Sequence, residues 1–159
     1  MIELLKEEIV PYKGTNTIKL GMTLSEVRDF LKNNRIPFNQ TMDSNKDCTP
    51  PIPWIYITVE SSFSMSFVRD VLFEMSFEGK CSGRLPNGVG IGTKMKELER
   101  LDPSLEYDDD DEVFVSQDGY WIIDDIDSGK VKTITVFLEE VESDDFFEYE
   151  WTNKYINND

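Results

Sequence analysis

Residues 18–31 read IKLGMTLSEVRDFL, and residues 89–102 read VGIGTKMKELERLD. Each stretch begins with a two-step apolar alternation, passes a glycine, and then changes to helical spacing. At an offset of 71 residues, Gly21 aligns with Gly92 and Glu26 with Glu97. The apolar positions match as Ile18/Val89, Leu20/Ile91, Leu24/Met95, Val27/Leu98 and Phe30/Leu101. In the first stretch Thr23 and Glu26 form a T-x-x-E capping box ahead of the stripe Leu24, Val27, Leu31. In the second, Met95, Leu98 and Leu101 share one face, and Pro103 limits the helix. The matched change of period predicts a structural repeat.

Each helix leads into strand-like sequence. Trp54 to Val59, Phe63 to Phe67 and Val71 to Phe77 come after the first. After the second, Val113 to Gln117 and Tyr120 to Asp124 flank Asp118-Gly119, a two-residue hairpin signal. A turn at Ser128-Gly129 then leads into the β-branched run Val131 to Leu138. The expected fold class is α+β, with two pseudo-repeated units of short helix followed by an antiparallel β meander of two or three strands. The units span about 15–80 and 88–140 within a single domain over 1–159, followed by a C-terminal segment, 141–159. KCSGRLPN at 80–87 is the junction, and 39–53, ending in TPPIP, reads as a long loop. In the C-terminal segment Phe147, Tyr149 and Trp151 alternate with Glu148 and Glu150, which predicts a strand. A helix starting at Ser143-Asp144-Asp145, with Phe147, Trp151 and Tyr155 on one side, is the alternative.

A chain of 159 residues with 39% hydrophobic and 12% aromatic residues has enough apolar mass for one core. Its 16 basic residues face 32 acidic ones, a net charge of −16. That excludes a nucleic-acid reader working through a basic face. Histidine is absent, which removes imidazole bases and the usual zinc sites. Cys48 and Cys81 have neither metal-ligand nor redox spacing and read as ordinary cytosolic thiols. MIELLKEEIVPYK carries acidic residues where a signal peptide needs an apolar core, and no stretch approaches a membrane span. The expected location is the cytoplasm, with no membrane or nucleic-acid partner.

Two segments invite ligand readings that their spacing denies. GVGIGTK at Gly88 to Lys94 has Thr before Lys and lacks the strand a phosphate loop requires. Numbered as a calcium loop from Asp124, Gly129 falls sixth, but Ile126 takes the third position and Thr135 the twelfth. No cofactor and no metal is expected.

The charge is polarised. Residues 81–159 hold 21 acidic and 7 basic residues, against 11 and 9 in residues 1–80, and between Leu101 and Gly129 there are eleven carboxylates and no Lys or Arg. Asp108, Asp109, Asp110, Asp111 and Glu112 stand consecutively between Tyr107 and Val113. Neighbouring carboxylates repel, so such a run serves solubility or a partner. Exposed side by side, they share one environment, whereas acid/base catalysis needs two different ones. No catalytic residues are therefore assigned, and a non-enzymatic role is expected. Interfaces favour aromatic anchors with charged rims. The expected partner-binding residues are accordingly Tyr107, Asp108 to Glu112, Asp124, Asp125, Asp127, Glu148, Tyr149, Glu150 and Trp151.

The opening VPYKGTNTIKLGMTLSEVRDFL resembles the helix start of small bacterial immunity proteins encoded beside secreted toxins, including contact-dependent inhibition and other polymorphic toxin systems. The likeness covers about twenty residues, with a weaker echo at 89–102. It implies a role, binding and neutralising a cognate toxin, and carries over no site residues. A nuclease toxin with a basic cleft suits an acidic inhibitor. The alternatives are an acidic DNA-mimic or regulatory module for another basic protein, and a carboxylate-based enzyme with two convergent acids in a pocket.

Overall fold

The computed structural model describes residues 2–45 and 52–156. It is an α+β fold built on one antiparallel eight-stranded sheet. Along the chain come α1 (Leu24–Asn33), β1 (Asn39–Asn45), β2 (Ile52–Val59), β3 (Phe63–Val68) and β4 (Val71–Phe77). They are followed by α2 (Met95–Leu101), β5 (Glu106–Asp108), β6 (Val113–Val115), β7 (Tyr120–Asp125), β8 (Lys130–Phe137) and a short α3 (Asn153–Ile156). The strand order is β1-β2-β3-β4-β8-β7-β6-β5. Two four-stranded meanders thus meet last strand to last strand, with Met75 opposite Val136 and Phe77 opposite Ile134.

Each meander therefore has four strands where two or three were expected. β1 replaces the first part of the loop expected at 39–53, and the rest of that loop lies partly outside the described residues. β5, only three residues long, is too short to show a period. The Asp118-Gly119 signal closes a three-residue connection, 117–119, rather than a two-residue one, since the Ser116 amide donates to the Tyr120 carbonyl at 3.0 Å.

Both helices cover one face of the sheet. Val27 and Leu31 of α1 and Leu98 of α2 join Ile57, Met65, Met75, Ile122, Ile134 and Val136 in one buried cluster. The Thr23 capping box is complete: its hydroxyl accepts from the Glu26 amide, and the Glu26 carboxylate accepts from the Thr23 amide. That arrangement contributes about 1 kcal/mol to the helix start. Lys94, at the corresponding position of α2, provides no side-chain cap.

Backbone bonds seat the two helix starts alike. The Gly21 amide donates to the Leu72 carbonyl, the Leu72 amide to Met22, and the Leu24 amide to Asp70, at 2.8, 2.9 and 3.2 Å. In the second half Gly92 donates to Val131, Val131 to Thr93, and Met95 to Gly129, at 2.9, 2.8 and 2.9 Å. Gly21 and Gly92 have φ of +95° and +90°, a region that L side chains rarely enter and glycine adopts freely.

The opposite face carries a second cluster, in which Val68, Val71, Phe73 and Leu138 pack against Phe146 and Tyr149. The C-terminal segment supplying the last two is not a strand. It runs as short 3-10 turns, Glu139–Glu142, Phe146–Glu148 and Glu150–Thr152, before α3. The alternation at 147–151 is misleading because the segment buries Phe146 and Tyr149, three residues apart. Cys81 is buried with a free thiol, and Cys48 lies outside the described residues.

Candidate functional site

The acidic run closes the β5–β6 hairpin. Asp108 Oδ1 accepts the amides of Asp110 and Asp111 at 2.9 and 3.3 Å, and Glu112 turns the chain with φ +56°. Asp109 to Glu112 are exposed, Asp108 half-buried. In the β7–β8 turn Asp125 acts similarly, its Oδ1 accepting the Asp127 amide at 3.1 Å. The acidic run and Asp124 of β7 converge on Tyr107, whose ring lies 5.0 Å from Phe114. Desolvation raises the Tyr107 hydroxyl pKa, and the negative fields of Glu112, Asp109, Asp124 and Asp108 raise it further. The structure thus brings Tyr107, the acidic run and Asp124 together. Among the described residues the one ion pair is Lys154–Glu140, at 2.9 Å, and it involves none of these carboxylates.

The C-terminal candidates divide. Glu148 and Glu150 are exposed. Tyr149 is fully buried, its hydroxyl accepting from the Trp54 indole N–H at 2.8 Å. Trp151 is half-buried, stacked on Phe146 at 5.6 Å between centroids, and its indole N–H donates to the Phe146 carbonyl at 2.9 Å. Tyr149 is therefore a core residue rather than a partner anchor, and the Trp151 ring is already occupied by packing. Its place at the second cluster, not its alternation with glutamates, explains each aromatic.

A cleft of about 540 Å³ borders α2, with Asp102, Leu105, Phe114 and Asp124 in its walls. Asp102 is 3% exposed. It accepts hydrogen bonds from the Ser104 amide and hydroxyl, at 3.0 and 2.6 Å, from the Ser116 hydroxyl at 2.5 Å, and from the Tyr120 hydroxyl. Asn87 Nδ2 in turn donates to Tyr120 Oη at 3.0 Å. This network ties the end of α2 to the β6–β7 connection. A carboxylate so saturated with donors is held ionised as a structural acceptor.

The second face of the sheet holds another cleft, of about 560 Å³. Its floor is Glu74 and Ser76 of β4, Thr133 and Thr135 of β8, and Trp121 and Ile123 of β7. Trp54, Val141, Phe146 and Phe147 bound it on the side of the C-terminal segment, and Asp111 and Val113 on the side of β5–β6. The β3–β4 register shifts between Ser66 and Phe67: Ser66 faces Glu74 and Phe67 faces Leu72, leaving Phe73 as the extra residue. This bulge places Phe73 and Glu74 on the same cleft, a use of bulges common beside functional sites. The nearby hydroxyls are engaged elsewhere, Ser76 with Thr135 at 2.9 Å and Thr133 with Glu78 at 3.2 Å. Within the described residues no hydrogen bond or ion pair reaches the Glu74 carboxylate, and burial pushes its pKa up to about 7.

Sequence reasoning does not single out Glu74. A signal is present all the same: it is the one charged residue in the strand VLFEMSF. No group of three His, Cys, Asp or Glu among the described residues is placed to hold a metal ion. Among the described residues no helix is long and apolar enough to cross a membrane.

The architecture is similar to that of the uncharacterized protein yfeY from Escherichia coli, seen in its crystal structure. The TM-score is 0.55 at 11% sequence identity, covering 82% of this chain and 99% of that chain. At that identity the likeness shows the fold alone. No protein-family model matches the sequence, and no curated protein matches it either.

Proposed function

We propose that this protein binds and neutralises a basic protein toxin, in the manner of the immunity proteins its opening sequence resembles. The observation that supports this reading is the convergence of Asp108, Asp109, Glu112 and Asp124 on the exposed Tyr107, with none of the four in an ion pair among the described residues. Like charges gathered without counter-ions disfavour the folded chain, and a basic surface docking on them relieves that repulsion. Close charge pairs across another nuclease–inhibitor interface couple by roughly 1.5–7 kcal/mol, a scale on which charge can carry such an interaction. We also infer that the two helix-plus-meander units are a repeat, on the strength of their matching helix-start bonds. The acidic turns belong to the second unit alone, which gives one copy the partner-binding role.

The direct test is to express the product of the neighbouring reading frame with and without this chain. Growth arrest relieved by co-expression, with a complex between the two purified proteins, supports the reading. A neighbouring product that is neither toxic nor bound overturns it. Binding to a basic protein of another kind would instead favour the regulatory alternative.

Replacing Asp108, Asp109, Asp110 and Asp111 together by Asn removes four charges and keeps the shape of the turn. Association with the toxin should slow by about tenfold at low salt. The loss should shrink toward nothing near ~1 M salt, where the screening length falls to a few ångströms. Stopped-flow rates across a salt series check this. Glu8→Gln with Asp29→Asn is the fitting control, since both are exposed. Glu7 is not, because its carboxylate holds the Thr17 amide and hydroxyl at 2.8 and 2.6 Å. Slowing by about threefold in this two-charge control, half the effect on a logarithmic scale, would mean that only net charge matters.

A further inference from the structure

We propose that the cleft over Glu74 is a binding site for a single organic cation, a primary ammonium or guanidinium group on an aliphatic stem. Three features carry this, and the acidic β5–β6 turn contributes to them only Asp111, at the rim. The first is the carboxylate. Glu74 lies in the middle of the sheet, on a strand flanked by β3 and β8, with no hydrogen bond or ion pair to it from the described residues. Glu74 is half-buried by exposure yet strongly desolvated, and a carboxylate so placed without partners costs stability. A titratable group so perturbed in a cleft marks a candidate binding site.

The second is the lining. Trp54, Trp121 and Phe147 border the cleft together with Ile123 and Val141. Aromatic walls attract a cation by the ring quadrupole and pack along an alkyl stem. An anion would meet Glu74 and, at the rim, Asp111, so the cleft selects against it. A neutral polar ligand finds few open donors, because Ser76 and Thr135 already bond each other.

The third is the way the site is made. The bulge at Phe73 turns that ring to the same face as Glu74. Phe73 then packs against Trp54 at 5.0 Å and Phe146 at 5.5 Å. The C-terminal segment is thereby fixed along one edge of the cleft, and Trp121 is fixed on the floor against Phe137 at 4.6 Å. The walls are rigid elements, and the size falls in the usual range for small-ligand sites, roughly 300–1,000 Å³.

The cation has two possible sources of one chemistry: a Lys or Arg side chain of a protein partner, or a free alkylamine. The first source rests on the proposed function above; the site itself does not.

The test uses the full chain at pH 8 with its three tryptophans observed through their indole N–H signals by NMR. The probe is n-butylguanidinium chloride, titrated against sodium chloride at equal ionic strength, with n-butylurea as the neutral counterpart. Saturable shifts at Trp121 and Trp54, with a Kd on the order of 1–10 mM for so small a probe, are expected. Glu74→Gln should weaken binding by about tenfold or more, and n-butylurea should not saturate. Shifts that stay linear, that survive unchanged in Glu74→Gln, or that n-butylurea reproduces would overturn the proposal. Fold integrity of the variant is read from the same spectra, and Glu74→Asp provides a charged second variant expected to bind more weakly than the parent and better than Gln. With the cognate toxin in hand, faster dissociation from Glu74→Gln assigns the cation to that partner. Unchanged dissociation beside intact probe binding assigns it to a free amine, and leaves the toxin reading to its own test.

Discussion

Replacing Asp102 by Ala is expected to cost about 3 kcal/mol or more of folding stability, measured by denaturant unfolding at pH 7. The residue is nearly inaccessible, and the Ser116 and Tyr120 side chains that donate to it are themselves 1% exposed. Removing the carboxylate leaves those hydroxyls without their acceptor and opens a polar void at the end of α2. Burial raises the Asp102 pKa, but hydrogen bonds from Ser104, Ser116 and Tyr120 outweigh it, and the net position lies below the ordinary aspartate value. A carboxylate with a lowered folded-state pKa contributes stability that is fully present above its unfolded pKa, near 4, and lost as pH falls through the folded value. The difference between the parent and Asp102→Ala should therefore be widest at neutral pH and narrow on acidification below about pH 4. A loss under about 1 kcal/mol would mean that the network is dispensable.

Glu74→Gln should act in the opposite sense, stabilising the protein by about 3 kcal/mol at pH 8. The folded-state pKa is raised from 4.5 to about 7 by burial, so between those values the folded chain holds a proton that the unfolded chain has released. Stability then falls as pH rises through that window and levels off above it. The gain from Gln should accordingly be near zero at pH 4, grow between pH 4.5 and about 7, and stay constant beyond. An equal gain at pH 4 and pH 8 would show that Glu74 does not titrate, and a loss at pH 8 would show that the carboxylate is held by partners. A carboxylate with that expected cost in the middle of a sheet fits a site whose function opposes stability.

The helix starts were legible because their information is local. Thr23 and Glu26 are three residues apart, and the box they form needs nothing from elsewhere. The change from two-step to helical spacing after Gly21 and Gly92 located both helices for the same reason, and the runs Val71–Phe77 and Val131–Leu138, which give β4 and all but the first residue of β8, showed their β-branched and aromatic character within single windows. β1 escaped because NQTMDSN has the composition of a loop; it is a strand because β2 pairs along its whole length, Asn39 with Thr58 through Asn45 with Ile52. The C-terminal segment escaped for a related reason. Its aromatics have the spacing of a strand's outward face, yet Tyr149 turns inward to meet Trp54, 95 residues away.

By itself the sequence determined the α+β class, the two helix starts, the polarised charge and the absence of imidazole chemistry, all properties of composition or of residues within a few positions of one another. The tertiary structure alone decided that the meanders join through β4 and β8, that Tyr149 belongs to the core, and that Asp102 gathers hydroxyls from Ser104, Ser116 and Tyr120. It also decided that Glu74 stands without a hydrogen-bond or ion-pair partner among the described residues at the floor of a cleft. Such facts depend on strand order and on a one-residue bulge. A side chain's face reverses with a one-residue shift of register, and burial depends on what the rest of the chain lays over it.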